Sequence, residues 1–285
     1  MTFALGSWRV HRVGYGAMQL AGDGFFGPPR DRDEALRVLR AAVDGGVDHI
    51  DTAQFYGSGV VNELIREALH PYPGNLAIVS KVAVGGDTDG AALRQGIEDN
   101  LEALGVGRLA AVNLRMPDPA ALPDKRFDAQ LAAMIGAREE GLIDGVGLSN
   151  VSRQQLLRAL DQTEIVCVQN LFNATDQRSL DVLTECSARD IAFVPYCPLG
   201  WPREERDRIL ASPVLARLAE RLTATPTQIV LAWLLDLAPN VLLIAGTRTR
   251  AHLSENLRAA DVVLDDAARA ELTQHFPATR NNKDS

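Results

Sequence analysis

Short apolar runs, each followed by a helical pattern, recur along the whole chain, and this alternation most narrows the folds open to it. The runs are Val13–Tyr15, His49–Asp51, Ala77–Ser80, Ala110–Leu114, Gly145–Leu148, Ile165–Val168, Ala192–Pro195 and Val241–Ala245. Each is rich in Val, Ile, Leu or Ala without clear polar alternation, as expected of parallel strands covered on both faces. Between them, Leu36, Leu39 and Val43 recur at helical spacing and stop at Gly45-Gly46. Leu93, Ile97, Leu101 and Leu104 form a second stripe closed by Gly105. Ser152 with Gln155, and Thr225 with Gln228 after Pro226, have the spacing of capping boxes. Eight strand–helix units predict an α/β chain folded as a (β/α)₈ TIM barrel, with an N-terminal β-hairpin before it. An open doubly wound sheet is the alternative. It calls for a glycine-rich phosphate turn after the first strand, and Gly14-Tyr15-Gly16 followed by Ala17-Met18-Gln19 lacks the third glycine.

A length of 285 residues fits one such barrel, and with no Pro/Ser-rich linker the expected organisation is a single domain, 1–285. The net charge of −8, spread along the chain, argues against nucleic acid or an anionic membrane as the main partner. Cys167, Cys186 and Cys197 lie in or beside apolar segments, as small buried hydrophobes in a reducing compartment do. No Cys or His spacing suits zinc, so no metal is expected. Gly6, Arg9 and Arg12 interrupt any signal-peptide core, and no apolar run reaches membrane-spanning length. A cytoplasmic protein, monomeric or a small homo-oligomer, with a polar frayed tail after His275 is the expectation.

Chemistry in such a barrel sits at the carboxyl ends of the strands. Here they read Asp51, Lys81, Arg115, Ser149-Asn150, Gln169-Asn170, Tyr196 and Gly246-Thr247. Any one could be a polar cap, but seven on one rim supply a carboxylate, two cations, amides and an aromatic face. In His49–Gly57, HIDTAQFYG, Asp51 is followed closely by Tyr56, and Lys81 closes the next strand. A free phenol has a pKa of about 10, and a nearby ammonium favours its anion, which suits proton exchange with a carbonyl or alcohol oxygen. The loops after strands seven and eight are the usual phosphate site of the barrel. Tyr196-Cys197-Pro198-Leu199-Gly200 and Gly246-Thr247-Arg248-Thr249-Arg250 offer backbone amides, hydroxyls and guanidiniums at a helix start. A solvated basic helix start is the competing reading.

These residues carry a resemblance to the aldo-keto reductase superfamily over nearly the full chain. It rests on GYGAM (Gly14–Met18), HIDTAQFYG, Asn62-Glu63, VSK ending in Lys81, GLSN (Gly147–Asn150), VQN (Val168–Asn170), PYCPLG (Pro195–Gly200), IAGT and Glu255-Asn256. The resemblance implies a barrel that reduces an aldehyde or ketone by hydride transfer from NAD(P)H. By the same resemblance Tyr56 is the proton donor, tuned by Lys81 and Asp51. Ser149, Asn150 and Gln169 match positions that hold the nicotinamide carboxamide, and Tyr196 the ring stacked on the nicotinamide. Gly16, Ala17, Met18, Pro198, Leu199, Gly200, Gly246, Thr247, Arg248, His252, Glu255 and Asn256 fall in the remaining cofactor-binding segments.

Two departures from the family pattern bear on function. The fourth catalytic residue is usually a histidine in a pattern ending His-x-Pro, whereas AAVNLRMP places Arg115 there, a form shared by a bacterial branch. Arginine stays charged and donates hydrogen bonds without relaying a proton. At the 2′-phosphate end, Gly246 stands for a common lysine and His252 for an arginine. Arg248 or Arg250 compensates, which favours NADP(H) with NAD(H) as the alternative. Phe25, Phe26, Phe55, Met116 and Trp201 are candidates for an apolar substrate wall, although each also suits ordinary packing. With a short loop over Trp201–Arg208, small aldehydes, aromatic ones included, are the expected substrates, and related bacterial members suggest pyridoxal-like ones. A nucleotide-sensing barrel with little turnover, and a barrel aldolase or isomerase using Lys81 covalently, are the rival readings.

Overall fold

The structure, a computed structural model, describes residues 1–83, 85 and 88–278. Most of the expected frayed tail, 279–285, lies outside the described residues. The chain opens with β1 (Thr2–Leu5) and β2 (Trp8–His11), paired antiparallel. Seven parallel strands follow in sequence order within one sheet. They are β3 (Tyr15–Gly16), β4 (His49–Asp51), β5 (Ala77–Ala83), β6 (Ala111–Arg115), β7 (Val146–Ser149), β8 (Cys167–Gln169) and β9 (Ala192–Phe193). The segment expected as the last strand touches both edges of this sheet. Leu243 bridges Val13 and Val241 bridges Phe193, both in parallel. The Gly14 amide donates to the Leu243 carbonyl at 2.8 Å, and the Leu242 amide to that of Phe193 at 2.9 Å.

Helices alternate with these strands. They are α1 (Arg32–Asp44), α2 (Val60–Leu69), α3 (Gly90–Leu104), α4 (Lys125–Glu139), α5 (Arg153–Leu160), α6 (Leu180–Ser187), α7 (Arg203–Leu210), α8 (Pro213–Arg221), α9 (Pro226–Leu237), α10 (Arg250–Leu257) and α11 (Asp266–His275). The anticipated signals act as capping physics requires. Gly45 and Gly105 end α1 and α3, and both capping boxes form, at Ser152/Gln155 and Thr225/Gln228. One expectation is corrected. Trp201–Arg208 is not simply a short loop, because Arg203–Leu210 is helical, with Glu204 and Glu205 in its first turn and Arg208 in its last. That charge order suits the helix dipole, and Glu205 pairs with Arg208 one turn on.

The apolar side chains divide into two cores. The larger lies between sheet and helices and holds Ile50, Leu64, Ile97, Leu114 and Leu148. The smaller joins alternate strand residues, among them Ala77, Val79, Ala111, Cys167, Val194 and Leu242, to Leu5 and Val10 of the hairpin. Successive strand residues face opposite sides, so this second cluster is the inner face of the sheet. The hairpin closes its amino-terminal end. Trp8 Nε1 donates to Asp144 just before β7, and the His11 amide to Asp48 just before β4. The opposite, carboxyl end carries the polar residues. Among the described residues no helix is long and apolar enough to cross a membrane.

Candidate active site

The parallel register brings the strand ends level. Asp51 pairs with Val79, Lys81 with Asn113, Arg115 with Ser149, and Ser149 with Gln169. Asp51 and Lys81, 30 residues apart, then meet on the inner face, where Lys81 Nζ donates to Asp51 Oδ1 at 2.6 Å. The ammonium also donates to the Thr52 carbonyl at 2.9 Å, and Gln169 Nε2 donates to Asp51 Oδ2 at 2.8 Å. Both ionic side chains are buried. A buried pair of this kind persists because further hydrogen bonds satisfy each partner.

Tyr56 arrives from the turn after β4. Gly57, Ser58 and Gly59 all take positive φ, which folds the chain back into α2. The half-buried Tyr56 ring lies with its centroid 5.0 Å from Lys81 Nζ, and Phe55 meets it edge-on. Burial pushes the phenol above its ordinary pKa, while Lys81 and Arg115 pull back only part of that shift. A phenol made acidic by its neighbours is therefore the wrong net direction: Lys81 moderates a phenol that burial keeps protonated. Burial acts against the Lys81 charge too, but Asp51 and Tyr56 outweigh it, and the ammonium is held above its usual pKa.

Arg115 ends β6 on the same rim. Its Nη1 stands 3.5 Å from Ser149 Oγ and its guanidinium carbon 5.6 Å from the Tyr196 ring centroid. Tyr196 donates through its hydroxyl to Asn150 Oδ1 at 3.0 Å, and Asn150 Nδ2 donates to the Met116 carbonyl at 2.8 Å. The four expected catalytic residues and the expected nicotinamide-side residues thus share one rim. Of the rim aromatics, Phe25 packs on Trp201 at 5.5 Å, and Phe26 is exposed. Met116 is buried, so its side chain belongs to the core.

The expected nucleotide residues are more committed than their sequence suggests. Gly16 and Gly246 face each other across adjacent strands. A Cβ on either would lie 2.4 Å from a backbone oxygen of the opposite segment, so the close strand approach itself requires glycine. Ala17 and Pro198 are buried, while Met18 and Leu199 are half-buried. Gly200 takes φ +105° at the turn leading to Trp201. The Thr247 carbonyl accepts from the Tyr15 hydroxyl at 2.7 Å. Arg248 donates to the carbonyls of Gln19 and Ala21, whereas Arg250 pairs with Glu34. His252 is exposed, Glu255 accepts from Thr225, and Asn256 donates to the Ala245 carbonyl.

These residues fit a dinucleotide. Gln169 is anchored through Nε2, and its Oε1 has no hydrogen bond among the described residues, so it can accept from a carboxamide. Arg250 pairs with Glu34, whereas Arg248 is held by backbone carbonyls beside the start of α10, where the helix amides also suit a phosphate, with the Asp23 carboxylate near enough to feel its charge. Among the described residues no group of three or more His, Cys, Asp or Glu is placed to hold a metal ion.

Sequence reasoning missed Asn100 altogether, and gave no role to Thr52, Gln54, Ser80 and Asn62, which entered only as parts of motifs. Ser80 precedes Lys81 and Thr52 follows Asp51, an adjacency that was the one available signal. Cys167 lies deeper on the inner face, its thiol pushed up to about 12 by burial and by the Asp51 charge.

Residues 12–276 match the aldo/keto reductase family. The chain is 44% identical over 282 residues to pyridoxine 4-dehydrogenase of Escherichia coli, covering 95% of this chain and 96% of that protein. The thermostable aldo-keto reductase Tm1743, solved with the inhibitor epalrestat, superposes with a TM-score of 0.84 at 31% identity. That match covers 96% of this chain and 99% of the other. An aldo/keto reductase of Klebsiella pneumoniae, solved with NADP and acetate, gives 0.83 at 25% identity, covering 96% and 94%. With its strand-end geometry and these similarities over almost all its length, the chain belongs to the aldo/keto reductase family, whose chemistry is NAD(P)H-dependent carbonyl reduction.

Proposed function

We propose that this protein is an NADP-dependent oxidoreductase that reduces an aldehyde or ketone at the rim, with Tyr56 giving the proton. The observation that carries this reading is the buried Lys81–Asp51 pair with the Tyr56 ring 5.0 Å from Lys81 Nζ. Bound NADPH supplies the hydride. Tyr56, kept neutral by burial, protonates the developing alkoxide through its hydroxyl. Lys81 stabilises the phenolate left behind, while Asp51 and the Thr52 carbonyl hold the ammonium in place. Arg115, in the place of the family's usual histidine, donates to the substrate oxygen as negative charge grows there. Ser149, Asn150 and Gln169 hold the nicotinamide carboxamide against Tyr196, and Arg248 takes the phosphates.

The architecture behind this reading is a closed (β/α)₈ barrel forming one domain. Its support is the segment 241–243, which bonds to both edges of the seven-stranded sheet. Lys81 as a Schiff-base nucleophile is disfavoured, because an ammonium held above its usual pKa by Asp51 has no free lone pair. Family membership and the oxidoreductase relatives favour turnover over a purely sensing role.

For substrate, planar heteroaromatic aldehydes of the pyridoxal type fit best. The 44% identical relative is a pyridoxine 4-dehydrogenase, and Phe25, Trp201 and Phe55 place aromatic faces at the rim. The test is a spectrophotometric screen with NADPH and NADH in parallel over diverse carbonyls, pyridoxal included. NADPH oxidation is expected with at least one aldehyde. Tight NADPH binding with no turnover across the panel would overturn the enzymatic reading.

A further inference from the structure

Behind the Lys81–Asp51 pair, on the outer face of the sheet, lies a buried cluster of uncharged polar groups that the reaction does not touch. Thr52 Oγ1 donates to Asn62 Oδ1 at 2.7 Å. Asn62 Nδ2 donates to Asn100 Oδ1 at 2.9 Å and to Gln54 Oε1 at 2.9 Å. Asn100 Oδ1 also accepts from Ser80 Oγ, and Asn100 Nδ2 donates to the Gly96 carbonyl at 2.7 Å. Thr52, Asn62, Ser80 and Asn100 are all completely buried.

The placement follows from strand alternation. Asp51 and Lys81 face inward, so their neighbours Thr52 and Ser80 face outward toward α2 and α3. Asn62 of α2 and Asn100 of α3 join these two outward hydroxyls. The Thr52 carbonyl is the second acceptor of Lys81 Nζ, at 2.9 Å. Fixing the Thr52 side chain therefore fixes an oxygen that holds the ammonium, and tying Ser80 fixes the backbone just before Lys81. In apolar surroundings this arrangement costs stability unless every member is satisfied, and a satisfied network rigidifies what it joins. Four buried polar side chains stand where aliphatic ones would pack without such a cost.

We propose that Thr52, Asn62, Ser80 and Asn100 are positioning residues for the catalytic ammonium. They set the height of Lys81 relative to Asp51 and Tyr56 from outside the sheet. The inference rests on the assignment of Tyr56 and Lys81 above, and Tyr56→Phe serves as the control that separates the two.

Thr52→Val removes the hydroxyl at nearly constant volume, and Thr52→Ser keeps it. Ser80→Ala removes one bond on the neighbouring strand and serves if Thr52→Val does not fold. Thr52→Val is expected to lower kcat about 10- to 100-fold, the scale of a misplaced catalytic group. NADPH affinity should hold within about twofold, and Thr52→Ser should restore most of the rate. In the alcohol-oxidising direction Tyr56 must accept a proton. A poorly placed Lys81 lowers the phenol pKa less, so the rising limb of the pH profile should move to higher pH. Ser80→Ala should shift that limb the same way, by less. Wild-type kcat and an unmoved limb in the folded variants overturn the proposal. So does a loss that is equal at every pH and tracks a fall in Tm, which would mark plain stabilisation. If Tyr56→Phe keeps full activity, the underlying assignment fails instead.

Discussion

Gln169 and Lys81 grip opposite oxygens of one carboxylate: Gln169 Nε2 lies 2.8 Å from Asp51 Oδ2, and Lys81 Nζ lies 2.6 Å from Oδ1. An amide assigned by resemblance to the nicotinamide thus also supports the Lys81–Asp51 pair. The parts of the rim proposed to hold the cofactor and to move the proton are therefore joined through Asp51.

Replacing Gln169 by Leu should therefore do more than weaken cofactor binding. It leaves one oxygen of a buried carboxylate without its donor, at a cost of about 1–3 kcal/mol. Urea unfolding should show this loss in the cofactor-free protein. An unchanged midpoint there, with NADPH affinity alone reduced, would confine Gln169 to the cofactor.

Tyr56→Phe should reduce turnover by about 10²–10⁴-fold, the usual worth of a positioned proton donor, while NADPH affinity stays nearly constant. The pH profile of the wild type carries a sign. Burial raises the phenol pKa, so carbonyl reduction, which needs the protonated form, should persist until above the ordinary phenol pKa of about 10. Lys81→Met should move the phenol further up, since the ammonium is the larger of the two cationic influences pulling it down. A reduction rate that already falls near neutrality, in step with a single ionisation, would contradict the burial argument.

Arg12 supplies a stability test remote from the rim. Its buried guanidinium donates to the carbonyls of Leu235 and Ala238 at the end of α9, and to that of Val241 where the final strand segment begins. Arg12→Met leaves those acceptors without a donor, and at least about 1–3 kcal/mol should be lost. Calorimetry should show a lower Tm with activity per folded molecule unchanged.

Acid sensitivity should trace in part to Asp48. Burial alone would raise its pKa, but the His49 ring 3.7 Å away and hydrogen bonds from the backbone and ring of His11 outweigh this and hold it low. A depressed carboxylate contributes stability above its unfolded pKa of about 3.9 and loses it as pH falls through the folded value. Asp48→Asn should destabilise the protein at neutral pH and flatten its stability profile below about pH 4. Parallel wild-type and variant profiles across that range would remove Asp48 from the account.

Much of the fold was legible because its signals are local. The capping boxes at Ser152 and Thr225 and the stops at Gly45 and Gly105 each sit within a few residues of what they act on. The helix Arg203–Leu210 was not legible. Its eight residues bury only Ile209, so it has no apolar stripe to read, and its evidence is charge order alone. The network through Asn62 and Asn100 was hidden differently. Its members lie on three elements and the turn after β4, and Asn100 sits inside a leucine-rich helix where nothing nearby announces a polar partner.

The amino-acid sequence by itself determined the alternation of strands and helices, and hence which polar residues stand at strand ends. Periodicity and capping are short-range properties, and in a parallel sheet strand order then sets which ends share a rim. Only the tertiary structure decided which of those ends touch, that Gln169 closes on Asp51, and that Arg250 pairs with Glu34 while Arg248 is held by the carbonyls of Gln19 and Ala21. It also decided the direction in which Tyr56 is tuned. Placing a cation beside a phenol predicts a lower pKa, but desolvation opposes it, and how far a ring is withdrawn from water is a property of the whole packed molecule.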